Sequence, residues 1–136
     1  MKLHARRPAL PAPDSMALQL SAGRVAFAAA AMAAPVTFLR LLGADSATAQ
    51  RVTWVTRMLA VRDGALGVGG ALAARRGSSA TPWLVCGAVS DAVDAVVIGR
   101  ALAEGRVRGI VPAAVVPLAA LTAAAGVVTA VRARPA

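Results

Sequence analysis

The stretch RMLAVRDGALGVGG, residues 57–70, decides how the rest of the chain is read. It sets Arg62 and Asp63 side by side in a segment otherwise built of apolar and small residues. In water such a pair is a solvated surface feature. In hydrocarbon each charge costs ~2.5–3.5 kcal/mol at mid-depth, so charges there turn inward and pair. The composition says which solvent applies. The chain has 136 residues, 58% of them hydrophobic and 15% charged, with a mean hydropathy of +0.67. An ordinary soluble domain has ~45–50% apolar and ~25% charged residues. A soluble protein of this size and composition lacks the polar surface to cover itself.

Working outward from 57–70, four apolar stretches appear, each near the ~20 residues that cross ~30 Å of hydrocarbon. They cover about 17–42, 52–74, 81–103 and 110–131. In the first, Pro35 is expected to kink or end the helix and leave 36–42 as a short interfacial piece. Asp14 and Ser15 are plausible N-caps for it. The second is expected to start early, capped by Asp45 or Ser46 and projecting through Arg51, with Gly77 and two serines ending it. The third has Pro82 in its first turn and Trp83 at the interface. The fourth, IVPAAVVPLAALTAAAGVVTAV, has no charged residue from Ile110 to Val131. A soluble bundle needs a polar face on each helix. A stretch apolar all round at this length belongs in lipid. The fold expected is all-α: a four-helix transmembrane bundle, up-down-up-down, over 15–132. Residues 1–14 are expected to form a disordered cytoplasmic tail with Lys2, Arg6 and Arg7, and 133–136 a short basic C-terminal tail.

The net charge of +9 raises nucleic acid as a partner. The arginines, however, punctuate apolar blocks and form no helix face, and the four aromatics, Phe27, Phe38, Trp54 and Trp83, make no stacking platform for bases. The expected partner is the lipid bilayer, with self-association or a larger membrane complex, and no nucleic acid. The arginines also suggest topology. Lys2, Arg6, Arg7, Arg24, Arg75, Arg76, Arg132 and Arg134 fall on one side. Arg40, Arg51, Arg100, Arg106 and Arg108 fall on the other. The bias places both termini in the cytoplasm of a multi-pass inner (plasma) membrane protein. Two processing signals compete weakly. Arg6–Arg7 lacks twin-arginine surroundings, and the run before SATAQ (46–50) is too long for a signal-peptide core and contains Arg40.

Arg62 lies sixteen residues before the turn near 78, and Asp94 sixteen after it. An antiparallel hairpin brings them to the same depth. Asp91 and Asp94 share a helix face. Gly87 on that face admits a close neighbour, and Ala60, Gly64, Gly67 and Ala71 let the second stretch approach a partner. The candidate site is therefore an intramembrane charge cluster: Arg62, Asp63, Asp91 and Asp94. Arg57, ~7.5 Å along the axis from Arg62, reaches its edge or snorkels to the interface. Arg62 is expected to bridge to Asp94, with Asp91 as a second partner.

Other chemistry is missing. His4 is the single histidine and lies in the tail, so His-based catalysis and metal sites are not expected. Cys86 is the single cysteine and forms no intrachain disulfide; its apolar neighbours suggest a buried, inert thiol. GVGGALA (67–73) follows no strand and reads as packing glycines rather than a dinucleotide loop. Asp63-Gly64 lacks the other residues of a CDP-alcohol phosphotransferase motif. Asp91-x-x-Asp94 with Asp63 makes a poor cation cage beside an arginine. No cofactor, metal or catalytic residue is expected.

The elements GR (23–24), AP (34–35), RLLGAD (40–45), RMLAVRDGALGVG (57–69) and DAVDA (91–95) resemble a group of small four-span actinobacterial membrane proteins of unknown function. That resemblance implies an integral membrane protein and no established activity. Two functions follow as expectations. One is a non-enzymatic accessory or scaffold subunit held together by the Arg–Asp cluster. The other is a small proton-coupled transporter or permeability protein using the same cluster. A membrane enzyme acting on lipid ranks third.

Overall fold

The computed structural model describes residues 12–133. The expected N-terminal tail, apart from its last three residues, and the final residues of the C-terminal tail lie outside that range. Among the described residues the structure is wholly helical. Four long helices, α1 (Pro13–Ala33), α4 (Thr53–Arg75), α5 (Thr81–Ala103) and α6 (Ile110–Arg132), are joined by short segments that include α2 (Pro35–Leu41) and α3 (Ser46–Arg51). At ~1.5 Å per residue the long helices measure roughly 31–35 Å, the thickness of a bilayer core. By length and apolarity α1, α5 and α6 qualify to cross a membrane. The stretch expected as the second span, now α4, is as long but carries Arg57, Arg62, Asp63 and Arg75.

The boundaries have local causes. Pro35 ends α1 because its ring removes an N–H and clashes with the preceding turn; α2 restarts directly with Pro35 in its first turn. α1 itself begins at Pro13 without a side-chain cap. Asp14 sits in the first turn, where its charge suits the helix dipole, and the Ser15 hydroxyl donates to the Ala12 carbonyl. The expected Asp14 or Ser15 cap is thus replaced by proline, whose fixed φ already favours a first turn. Asp45 caps α3, accepting from the amides of Ala47 and Thr48 and from the Thr48 hydroxyl. The Thr48 hydroxyl, followed by the Thr48 amide, holds this exposed carboxyl below its ordinary pKa. The helix expected to run unbroken through Arg51 breaks at Val52, which leaves the helical region with ψ 18°. Gly77 ends the α4 turn at φ +66°, a conformation that side chains with a Cβ resist.

The packing is two antiparallel pairs, α1 on α4 and α5 on α6, with sparser seams between the pairs. Small residues make the tight contacts. Ala28, Ala31 and Ala60 form one buried cluster, and Ala17, Ala73, Ala80, Leu84 and Ala130 another. A Cβ on Gly67 would lie 2.7 Å from the Ser21 carbonyl oxygen, so α1 and α4 touch backbone to backbone there. Ala60, Gly64 and Gly67 of α4 therefore serve α1, while Gly69 faces Trp83 of α5. Large apolar side chains point the other way: Met58, Val61, Val68 and Leu72 of α4 and Val89 and Val96 of α5 are exposed. A water-soluble bundle buries its large apolar side chains. Small inside and large outside is the arrangement of helices packed in lipid. Cys86 is exposed among them rather than buried.

Candidate functional site

Three of the four long helices put charged side chains at their middles. Arg24 lies eleven residues from the start of α1 and nine from its end, so roughly 14–16 Å from either terminus. Arg62 and Asp63 occupy the centre of α4, and Asp91 and Asp94 that of α5. α6 contributes no charge at that level.

Arg24 is the hub. Its Nη1 donates to Asp63 Oδ1 at 2.9 Å and its Nη2 to Asp91 Oδ2 at 2.5 Å. Arg62 forks onto Asp94, with Nη2 to Oδ2 at 2.7 Å and Nη1 to Oδ1 at 3.4 Å, and its Nη2 also reaches Asp63 Oδ2 at 3.4 Å. The five groups form an unbroken alternating chain: Asp91, Arg24, Asp63, Arg62, Asp94. Asp63 is its buried centre, 5% exposed, held between both guanidinium groups. Such bidentate, charge-assisted bonds are the strong class, and in a low-dielectric setting each charge needs them.

The expected Arg62–Asp94 bridge across the α4–α5 hairpin is present. Asp91 is not its second partner; Arg24 takes that carboxylate. Arg24, counted by the arginine bias among the flanking residues of one side, instead sits at the middle of α1. The signal for it was present: a lone arginine at the midpoint of an Ala-rich stretch. Arg57, four residues into α4, is exposed and outside the chain of bonds. The cluster therefore comprises Arg24, Arg62, Asp63, Asp91 and Asp94.

Glycine makes room for it. A Cβ on Gly87 would lie 2.8–2.9 Å from three atoms of the Arg24 guanidinium. The close neighbour expected at Gly87 is thus a charged group rather than a helix backbone. Gly69 plays the same part for Trp83, whose ring would sit 2.3–2.5 Å from an added Cβ. The partition of charge matters too. The α1–α4 pair contributes Arg24, Arg62 and Asp63, formally +1. The α5–α6 pair contributes Asp91 and Asp94, formally −2. Two ion pairs, Arg24–Asp91 and Arg62–Asp94, cross the seam between the helix pairs.

A cavity of about 440 Å³ lies against this seam. Arg24, Asp63, Asp91 and Asp94 form its charged wall, and the rest is mostly apolar, including Phe27 and Trp83. Among the described residues no three His, Cys, Asp or Glu side chains gather as a metal-ligand set; the carboxylates are separated by the guanidiniums between them. No protein-family model, curated protein or solved structure matches the chain.

Proposed function

We propose that the chain is a four-span integral membrane protein, non-enzymatic, acting as an accessory or scaffold subunit whose two helix pairs are latched by the Arg–Asp chain. α4 joins the three apolar helices because its outward stripe is apolar. Trp54, Met58, Val61, Ala65, Val68 and Leu72 recur at three- and four-residue steps and are all exposed, while Arg62 and Asp63 turn inward. With Arg24 inside the helix, the arginine bias narrows to Lys2, Arg6, Arg7, Arg75, Arg76, Arg132 and Arg134 against Arg40, Arg51, Arg100, Arg106 and Arg108. It still favours cytoplasmic termini in the plasma membrane. The observation that carries the latch is that both seam-crossing ion pairs join one helix pair to the other.

The cavity beside the cluster favours a second reading, a small proton-coupled transporter or permeability protein. Asp94→Asn separates the two. A latch predicts a less stable or poorly expressed protein. A transporter predicts intact folding and loss of pH-dependent flux in proteoliposomes. Unchanged flux with lost stability removes the transporter.

A further inference from the structure

The cavity has a chemical preference that follows from which charges face it. Asp63, Asp91 and Asp94 line it with Arg24, whereas Arg62 does not. Arg62 still pairs with Asp94 and Asp63, so the ionised cluster carries a formal excess of one negative charge, in a medium where an uncompensated charge is costly. The remaining wall is apolar and includes two aromatic rings, Phe27 and Trp83. Aromatic faces attract cations, more strongly when desolvated. An inorganic divalent ion fits poorly, because every carboxylate is already bonded to a guanidinium and most of the wall offers no oxygen donor. At about 440 Å³ the space falls within the ~300–1,000 Å³ of small-molecule sites.

The mouth also has a direction. Phe27 on α1 and Leu118 on α6 border the cavity and are 42% and 60% exposed. Gly23 borders it as well, and a Cβ added there would meet nothing within 4 Å. The opening is thus sideways, between α1 and α6, at the level of the apolar outer surface. A solute arriving by this route must dissolve in the bilayer.

We propose that the cavity binds a monovalent organic cation with an apolar body, which enters from the bilayer between α1 and α6 and sets its charge against Asp91 and Asp94. This rests on the second reading above, in which the cavity serves a solute.

The probe is radiolabelled tetraphenylphosphonium, with tetraphenylborate as a match in shape and opposite in charge, offered to the full chain in nonionic detergent. The cation is expected to bind saturably and at least about tenfold tighter than the anion, the equivalent of ~1.4 kcal/mol. Ala119→Phe fills the cavity from α6 without changing a charged residue and is expected to weaken cation binding by at least a similar factor, with an unchanged elution profile. A second measurement holds if that variant does not fold. In Trp54→Phe, Trp83 is the single remaining tryptophan, and its emission is expected to shift on addition of the cation and not of the anion. Equal binding of the two ions, absence of saturable cation binding, or indifference of both the Ala119→Phe affinity and the Trp83 emission overturns the proposal. The latch is read by unfolding stability instead, so its failure and this one are separate results.

Discussion

Replacing Arg24 by methionine tests the central claim most directly. Methionine keeps the length and apolar stem of the side chain and removes the guanidinium. Two carboxylates on two different helices then lose a partner. Asp91 loses its 2.5 Å bond and Asp63 its 2.9 Å bond, keeping Arg62 at 3.4 Å. Removing one member of a buried ion pair costs ~3–5 kcal/mol, because the partner stays buried with its charge uncompensated. Here one deletion orphans two groups, so the loss is expected toward the upper end of that range. It is a large share of a typical total stability of ~5–15 kcal/mol. Arg62→Met is the internal control. Arg62 and Asp94 are each 33% exposed along the side chain, against 18% for Arg24 and 15% for Asp91, so it is expected to cost about half as much. The assay is equilibrium unfolding in mixed micelles with increasing dodecyl sulfate, followed by circular dichroism. Adding Asp91→Asn to Arg24→Met removes one orphan and should recover part of the loss, a coupling of ~1–2 kcal/mol. If Arg24→Met shifts stability by less than ~0.5 kcal/mol, or the double variant is worse by the plain sum, the hub does not exist as described.

Three further outcomes follow. Gly87→Ala places a Cβ within 2.9 Å of the Arg24 guanidinium and should destabilise by ~1–3 kcal/mol, as overpacking does; combined with Arg24→Met it should cost less, since the obstructed group is gone. Arg57→Gln should change stability by no more than ~0.5 kcal/mol in the same unfolding assay, because the side chain is exposed and outside the cluster. Asp45 has a depressed folded pKa, so its cap is complete at neutral pH. The cap weakens as pH falls below the unfolded carboxyl value of ~3.9 and is lost once pH passes the lower folded value. The protection factors of the Ala47 and Thr48 amides, rates corrected for intrinsic exchange at each pH, should fall over that acid window, and Asp45→Asn should flatten the dependence.

How much of this was legible in the sequence divides by the range of the interaction. Helix positions follow from local signals: Pro35, Gly77, Pro82 and the uncharged run of α6 each act on the residues beside them. The Arg62–Asp94 pair was legible as well, because a short turn fixes the depth of both partners in a hairpin. Arg24 was not. Its partners are 39 and 67 residues away, and nothing local says that α1 lies on α4 rather than α6. The small residues of α4 are a similar case, since their spacing marks a close neighbour without naming it. The break at Val52 also went unforeseen, since no proline or glycine marks it.

The order of the charges along the chain carries one more consequence. α1 brings Arg24 alone. α4 supplies Asp63 to it but introduces Arg62, and α5 supplies Asp94 to Arg62 and Asp91 to Arg24. Each helix therefore satisfies a charge left open by an earlier one, and α6 adds none. An α1–α4 intermediate still exposes a free cation at mid-depth, and an isolated α5–α6 pair exposes two free anions. At ~2.5–3.5 kcal/mol for each such charge, neither half is a comfortable resident of the bilayer. The two together leave a formal excess of one negative charge when all are ionised, beside the cavity. On the proposed reading the ion pairs bind the four long helices into one cooperative unit, and the fully ionised set leaves one negative charge unmatched. That remaining negative charge is the physical reason to look for a cation at the seam.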